Sequence, residues 1–379
     1  MPAAHTALIL GAGLLGRLLA VTLARAGWRV EVAEACADAR QAGGAARVAA
    51  AMLAPLAESA VTEPNVVAMG RYALPRWREL CAQLPEPVFF QQNGTLILWH
   101  RQDAREANRF EALLRATASR LSDLPVPQPL DAARLAEVEP AVAGRFTQGL
   151  YLPDEGQLDG RQLLAALLAE LRRRGVPIHW GRSLTLAQAQ AWQRDHPGAW
   201  VLDCRGLGAR DEWPRDAAPG AGPLRGVRGE VVRLHAPDVT LQRPTRLLHP
   251  RYPIYIAPKE DHRFVIGATE IEADDRSPAS VRSTLELLSA AYAVHPGFAE
   301  ARILELNTEC RPTLPDNLPA VRLAAPRVLQ VNGLYRHGYL IAPAVHDAVV
   351  EFIQHGTRSL AARLGLTFVD ERLAQELPA

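Results

Sequence analysis

The 379-residue sequence has almost no net charge, few aromatic residues and only four cysteines. Its 42 lysines and arginines balance 41 aspartates and glutamates, which argues against a nucleic-acid-binding protein, because such proteins bind largely by neutralising phosphates. The cysteines are scattered and form no C-x-x-C pair, so we expect reduced thiols and no disulfide framework. No run of about 18 uncharged apolar residues occurs, and the sequence therefore predicts no transmembrane helix.

The apolar N-terminal stretch, residues 7–26, is not typical of a secretory signal. No positive charge precedes it, and Arg17 and Arg25 interrupt it. Hydrophobic residues make up 48% of the chain and charged residues 22%, values that exclude disorder as the main state and predict a large core. We expect a cytoplasmic protein of two domains, or three.

A strand–turn–helix–strand pattern opens the chain. The apolar run 7–10 leads directly into Gly11-Ala12-Gly13-Leu14-Leu15-Gly16, which matches G-x-G-x-x-G. Residues 14–26 have apolar side chains at helical spacing, and residues 28–33 resemble a second strand. In such a unit the first glycine permits the tight turn, the second lets backbone approach a pyrophosphate, and the third lets helix and strand pack closely. The pattern predicts an ADP-containing dinucleotide.

Glu34 follows the last glycine by roughly 20 residues, where an acidic side chain accepts hydrogen bonds from the adenosine ribose. An acid there disfavours a 2′-phosphate and so points away from NADP, but it does not distinguish NAD from FAD. The rest of the chain favours a flavin. Strand-like segments of a nucleotide-binding domain return after long insertions, at 200–204 and 328–333, and interrupted domains of this kind are common in flavoproteins.

Seven segments, spread over nearly the whole chain, share their order with one protein family. They are Leu8–Glu34, Ala49–Pro55, Tyr151–Asp159, Tyr255–Pro258, Val265–Thr269, Arg311-Pro312 and Tyr335–Pro343. In this combination the sequence resembles the D-amino-acid-oxidase-like family of FAD-dependent amine oxidoreductases, and within it the glycine oxidases of thiamine biosynthesis.

The resemblance implies a site for FAD and for a small amino acid. It places the anchor of the substrate carboxylate on Arg311, with the hydroxyl of Tyr255 assisting and Arg336 close to substrate or flavin. An arginine fork suits this task because it binds both carboxylate oxygens. The residues that the resemblance and the glycine motif assign to FAD are Gly11, Gly13, Gly16, Glu34, Ala51, Met52, Val176, Gly206, Gly338, Tyr339 and Leu340.

Three positions depart from the family pattern. His337 stands where asparagine is usual, and Glu270 stands where an apolar residue lines the pocket. We expect Glu270 to point away from the pocket, because a buried carboxylate is costly unless it is paired. Cys310 is one position out of register with the cysteine that links FAD covalently in sarcosine oxidases, which would fall at Glu309. The sequence therefore predicts non-covalent FAD.

Hydrophobic patterning predicts helices and strands between these segments. Helices are expected at 63–84, 102–120, 163–171, 279–293 and 345–353, and strands at 224–234, 246–257 and 263–268. Asn93-Gly94 predicts a hairpin between residues 88–91 and 95–99. The expected fold is α/β, with a Rossmann-like FAD-binding domain of the D-amino-acid-oxidase type interleaved with a mostly antiparallel α+β substrate domain. The FAD domain is assigned to 1–62, 141–220 and 327–379, and the substrate domain to 63–140 and 221–326.

The function implied is oxidation of glycine, or another small primary or secondary amine, to the imine by hydride transfer to FAD. Molecular oxygen then reoxidises the flavin and yields hydrogen peroxide. Two alternatives stay open: a D-amino-acid or amine dehydrogenase that passes electrons to a quinone or partner protein, and a flavin-binding subunit of a larger complex. No G-x-S-x-G or H-E-x-x-H motif occurs, and no metal is expected. The family includes homo-oligomers, but no subunit interface can be recognised in the sequence.

Overall fold

The computed structural model describes residues 5–121, 124–215, 220, 222–249 and 253–370. These residues form eighteen strands: β1 (Thr6–Leu10), β2 (Arg29–Glu34), β3 (Met52–Leu53), β4 (Phe90–Gln91), β5 (Thr95–Trp99), β6 (Gln128–Asp131), β7 (Gln148–Leu152), β8 (Gly156–Leu158), β9 (Ile178–Trp180), β10 (Trp200–Asp203), β11 (Arg225–His235), β12 (Thr245–Leu248), β13 (Ile254–Pro258), β14 (Arg263–Gly267), β15 (Arg302–Thr313), β16 (Ala320–Ala325), β17 (Val328–Asn332) and β18 (Thr367–Asp370). Their eleven α-helices are α1 (Leu14–Arg25), α2 (Gly44–Val48), α3 (Pro55–Glu58), α4 (Pro64–Ala82), α5 (Ala104–Ala118), α6 (Ala132–Val138), α7 (Gly160–Arg173), α8 (Leu186–Asp195), α9 (Val281–Val294), α10 (Gly338–His355) and α11 (Ser359–Leu364).

A seven-stranded sheet has the order β18-β16-β17-β10-β1-β2-β9. Strand β1 runs parallel to β2 and β10, and only β16 and β17 pair antiparallel. The apolar run of β1 is buried on both faces: Ile9 packs in one core cluster with α1, whereas Leu8 and Leu10 pack in another with Val201 and Val328. Burial on both faces explains why the strand is a continuous hydrophobic run.

An eight-stranded sheet has the order β15-β11-β14-β13-β12-β5-β7-β6. Its neighbours all pair antiparallel except β12 and β5, which run parallel. The predicted strand 246–257 is in fact two strands, β12 and β13, that pair with each other. The fold class predicted from the sequence, α/β with a mostly antiparallel second sheet, is confirmed.

The predicted hairpin at Asn93-Gly94 is wrong. Gly94 does adopt a left-handed backbone (φ +83°), but the strands on either side of it do not pair with each other. Strand β4 pairs with β8 in a three-stranded sheet, and β5 pairs with β7 and β12 in the large sheet. Distant strands therefore replace the local partner, and the turn carries the chain from one sheet to the next.

Chain segments alternate between the two large sheets, as the interleaved arrangement predicts. Strands β7 and β8 lie within the segment 141–220 that the sequence assigned to the FAD domain, yet they belong to the eight-stranded and three-stranded sheets. The domain boundaries themselves stay a prediction. Within the described ranges, no helix is both long and apolar enough to cross a membrane.

Candidate active site

One elongated cavity of about 1110 Å³ connects the parallel sheet with the eight-stranded sheet. At one end it is lined by Gly11, Gly13 and Glu34, which follow or close β1 and β2. This end lies at the carboxyl ends of parallel strands, the usual place for a nucleotide in such sheets. At the other end it is lined by Tyr255 and Arg311 of the eight-stranded sheet.

The three motif glycines have different surroundings. Gly11 has φ +92°, which permits the turn into α1. A Cβ on Gly13 would meet no atom within 4 Å, so this position faces open space beside the start of α1. Gly16 does not line the cavity, and a Cβ there would lie 1.9 Å from the carbonyl oxygen of Gly11. Its role is close packing of helix against strand rather than contact with a ligand.

The Glu34 carboxylate is buried at the end of β2 and ties two loops together. Its Oε2 accepts a hydrogen bond from the Ala12 N–H at 2.6 Å, and its Oε1 accepts one from the Cys36 N–H at 2.9 Å. The carboxylate retains further lone pairs on the cavity side. Glu34 therefore lines the cavity with acceptor capacity to spare, and its contact with ribose hydroxyls stays a prediction.

The small-residue segment 50–52 lines the cavity and is held by the chain's single lysine. Lys259 is buried, and its Nζ donates to the carbonyl oxygens of Ala50 at 2.9 Å and Leu158 at 2.8 Å and to Gln157 Oε1 at 2.9 Å. Burial lowers the pKa of Lys259 to about 7. The remaining predicted flavin contacts that line this part of the cavity are Ala51, Met52, Gly206, Gly338, Tyr339 and Leu340.

Val176 does not lie where the sequence placed it. Its N–H donates to the Leu171 carbonyl at 3.0 Å as the chain leaves α7, and Val176 packs against the core beneath the parallel sheet rather than lining the cavity. Residues 182–184, which follow β9, line this side instead. The family resemblance indicated this part of the chain correctly, but it did not identify the residues that line the cavity.

Arg311 of β15 and Tyr255 of β13 line the cavity from the large sheet, with β11 and β14 between their strands. We call this end of the cavity the substrate end, after its predicted role. The Arg311 guanidinium donates to the carbonyl oxygens of Arg228 at 3.2 Å and Thr269 at 3.1 Å, and it has no carboxylate partner among the described residues. Burial raises the pKa of Tyr255, whose hydroxyl makes no hydrogen bond within the described chain. The cavity thus presents a cation without a carboxylate partner and a hydroxyl without a hydrogen-bond partner, both judged among the described residues.

Two glycines make room for these side chains. A Cβ on Gly229 would lie 2.5 Å from Arg311 Nη2, and a Cβ on Gly267 would lie 2.4 Å from the Tyr255 hydroxyl. Strands β11 and β14 therefore hold glycine where the two functional side chains cross them.

Arg336 is near the cavity as predicted, but it is already neutralised. Its Nη2 lies 3.0 Å from Glu58 Oε2, and Arg246 makes a close ion pair with Glu58 Oε1. Burial alone would raise the pKa of Glu58, but Arg336 and Arg246 hold it well below its usual range. Neither Glu58 nor Arg246 was predicted. Glu58 lies three residues beyond the segment 49–55 that carried the resemblance, and Arg246 stands in an ordinary strand pattern.

The expectation that Glu270 points away from the pocket is wrong. Glu270 lines the cavity, where its Oε2 lies 3.0 Å from Arg336 Nη1 and its Oε1 accepts a hydrogen bond from the Tyr335 hydroxyl at 2.6 Å. Burial and the bond to Glu270 raise the pKa of Tyr335 to about 12. The carboxylate turns inward because it has an ion-pair partner there, which removes the cost of an unpaired charge.

His337 and Cys310 also line the cavity. His337 lies with its Nδ1 3.6 Å from Glu58 Oε2, and burial lowers its pKa to about 4, so the ring is neutral at pH 7. The Cys310 thiol lies 3.5 Å from the Asp275 carbonyl oxygen, and burial raises its pKa. A protonated thiol held in this way is a poor nucleophile.

The residues fit an FAD. The open space at Gly13 beside the start of α1 suits a pyrophosphate, the Glu34 carboxylate suits a ribose, and the backbone of 50–52 and the start of α10 border the middle of the cavity. The substrate end lies beyond this middle part.

Comparisons with known proteins agree with this geometry. A family model described as FAD dependent oxidoreductase matches residues 6–351. The chain is 42% identical over 342 residues to a putative thiamine biosynthesis oxidoreductase ThiO of Rhizobium etli, covering 90% of this chain and 94% of that protein. It is 25% identical over 364 residues to a glycine oxidase of Geobacillus kaustophilus, covering 91% of this chain and 92% of that one. Among solved structures, iminodiacetate oxidase from Chelativorans sp. BNC1 has the same fold, with a TM-score of 0.75 at 20% identity and coverage of 96% and 99%.

Proposed function

Since this chain belongs to the family of FAD-dependent oxidoreductases, we propose that it oxidises a small amino acid, glycine first among them, at its carbon–nitrogen bond. The name of the relative from Geobacillus kaustophilus, a glycine oxidase, supports the choice of glycine. The proposal includes non-covalent FAD, molecular oxygen as electron acceptor and a cytoplasmic enzyme.

The observation that carries the proposal is the state of the cavity's arginines. Arg246 and Arg336 are paired with carboxylates of the protein, whereas Arg311 has none among the described residues. A half-buried cation without a counter-ion favours a ligand that brings one. Arg311 and the Tyr255 hydroxyl would together bind the substrate carboxylate and fix the orientation of its Cα–H.

FAD, when bound, would supply the acceptor for the Cα hydrogen and its two bonding electrons, and oxygen would finally receive those electrons to form hydrogen peroxide. The protein's part is to bind and orient. Arg311 would hold the carboxylate, and the positive charge of the arginines around Tyr255 would favour an uncharged amine, whose lone pair forms the carbon–nitrogen double bond. The nitrogen loses a proton, and the imine is the product.

An anaerobic titration with glycine tests the proposal. We expect glycine to bleach the visible flavin absorption, and air to restore it with formation of hydrogen peroxide. A protein that keeps its flavin colour at saturating glycine would refute the substrate. Bleaching without reoxidation by air would instead favour a dehydrogenase that uses another acceptor.

Substitution of Arg311 tests the anchor. Arg311→Ala should keep FAD bound while carboxylate binding weakens by roughly 2–5 kcal/mol, the cost of leaving a buried charge without its partner. The matched control is Arg302→Ala, because Arg302 is exposed at the other end of β15. Equal glycine affinity in the two variants would contradict the assignment.

A further inference from the structure

The side chain of Glu270 places a carboxylate of the protein itself at the substrate end of the cavity. Its side chain is 44% exposed, so it borders solvent, while its two oxygens contact Arg336 and the Tyr335 hydroxyl. Tyr335 and Arg336 precede α10, and Glu270 follows β14. The contact therefore bridges two separate segments across the cavity.

Among the described residues, the charges of this end divide into a balanced group and one cation without a carboxylate partner. Glu58 is shared by Arg246 and Arg336, and Glu270 supplies the second negative charge to the same group. Two arginines and two glutamates thus compensate one another. Arg311 remains, and it binds the carbonyl of Thr269, the residue directly before Glu270. The net charge at this end of the cavity is therefore balanced when one further carboxylate binds.

We propose that Glu270 determines substrate specificity by occupying the position of a second anionic group. This inference rests on the proposed function, because it assumes that Arg311 binds a substrate carboxylate. With Glu270 in place, a substrate that carries a second carboxylate meets a like charge, which excludes it. Without Glu270, the surplus positive charge of Arg246 and Arg336, together with the Tyr335 hydroxyl, forms a site for that second carboxylate.

The test compares two ligands that contain no amine and therefore cannot be oxidised. Methoxyacetate carries one carboxylate, and diglycolate carries the same skeleton with a second one. Their Kd values are measured on the FAD-loaded protein from changes in the visible flavin spectrum, for the unmodified chain and for Glu270→Gln. The control is Glu272→Gln, since Glu272 is an exposed carboxylate two residues away that pairs with Arg225 at 3.1 Å and does not line the cavity.

We expect Glu270→Gln to bind diglycolate about tenfold more tightly than the unmodified protein does, with methoxyacetate changed by less than about threefold. Glu272→Gln should leave both Kd values unchanged. An unchanged ratio of the two Kd values in Glu270→Gln, or the same gain in Glu272→Gln, overturns the proposal.

A second substitution tests where the added carboxylate of diglycolate binds in Glu270→Gln. Adding Tyr335→Phe to Glu270→Gln removes one donor of the expected site, and it should reverse most of the gain in diglycolate affinity. A full gain without the tyrosine hydroxyl would place the second carboxylate elsewhere and so contradict the assignment.

Glycine separates this inference from the function on which it rests. If glycine fails to reduce the flavin but the diglycolate ratio shifts, the substrate is wrong and the role of Glu270 stands. If glycine reduces the flavin in every variant while the ratio stays constant, the function stands and the role of Glu270 is refuted. The same variants should show faster oxidation of N-carboxymethylglycine relative to sarcosine only when Glu270 is replaced.

Discussion

Glu58 holds two arginines together at the substrate end of the cavity. Its carboxylate is buried and is shared by Arg246 and Arg336, and it raises the pKa of Arg336. His337 beside it is neutral at pH 7 because burial lowers its pKa. The position of Arg336 thus depends on Glu58, a residue that does not contact Arg311, the predicted anchor of the substrate.

Replacing Glu58 by glutamine should destabilise the protein by about 1–3 kcal/mol, because Arg246 then loses its carboxylate partner and Arg336 keeps only Glu270. The measurement is urea unfolding at saturating FAD. Glu137→Gln serves as control, since Glu137 pairs with Arg134 on the surface, where such changes stay within about 0.5 kcal/mol. A loss no larger than that of the control would show that the arginines find other partners.

Glu155 is a buried carboxyl whose protonation should make stability depend on pH. Its Oε1 accepts the Ala57 N–H at 2.8 Å, its Oε2 has no hydrogen-bond partner among the described residues, and burial raises its pKa to about 7. The unfolded chain loses this proton near pH 4, so the folded state binds more protons between about pH 4 and 7. The free energy of unfolding therefore falls as pH rises through this window, and the contribution is constant above it.

Glu155→Gln should remove this contribution, which amounts to about 3 kcal/mol. Relative to the unmodified protein, the variant should gain stability between pH 5 and pH 8. Urea unfolding at the two pH values measures the difference. A difference between the two proteins that is the same at both pH values would show that the carboxyl is ionised in the folded state.

At the scale of elements, the β1–α1 unit combines a packing requirement with a binding requirement. Gly16 lies against the backbone of Gly11, so a methyl group there meets an atom that cannot rotate away. Gly13 faces open space at the edge of the cavity. The same substitution at the two positions should therefore have different effects.

Gly16→Ala should separate α1 from β1, lower the free energy of unfolding by about 1–3 kcal/mol and weaken the binding of FAD. Gly13→Ala should leave the stability of the FAD-free protein unchanged, while the Kd for FAD rises because the methyl group occupies space beside the pyrophosphate. Thermal unfolding without FAD and fluorescence titration with FAD measure the two effects. Equal loss of stability in both variants would contradict this division of roles.

At the scale of the whole molecule, neither large sheet is built from one continuous stretch of chain. Strands β1 and β2 of the parallel sheet are separated from β9 and β10 by strands of the other sheets, and β16 to β18 return near the end. The cavity draws its lining from both sheets. Folding of one sheet therefore requires the segments that build the other.

We expect one cooperative thermal transition, with loss of secondary structure and release of FAD at the same temperature. FAD binds only the folded chain, so a concentration of 100 times Kd should stabilise it by about 2.7 kcal/mol. Far-ultraviolet circular dichroism and flavin fluorescence follow the two events. Two separate transitions would show that the sheets unfold independently.

Local spacing was sufficient for the elements whose partners are near in sequence. The predicted run 7–10, the helix 14–26 and the strand 28–33 correspond to β1, α1 and β2, and each predicted end lies within one residue of the observed end. Here the glycine spacing, the apolar period and the closing acid all depend on residues within one unit, and they agree with one another. The family resemblance carried the prediction further, to FAD and to the cavity positions of Arg311, Tyr255 and Arg336.

Tertiary structure alone decided the features that depend on distant partners. The strands around Asn93-Gly94 pair with β8, β7 and β12 rather than with each other, because those strands offer them more buried contact than a short hairpin. Glu270 turns inward because Arg336 and Tyr335, more than sixty residues later, neutralise and bind it. The sequence by itself determined the α/β class and the dinucleotide motif, and it selected Arg311 as the predicted anchor. Which carboxylates share the cavity depended on side chains that only the folded chain brings together.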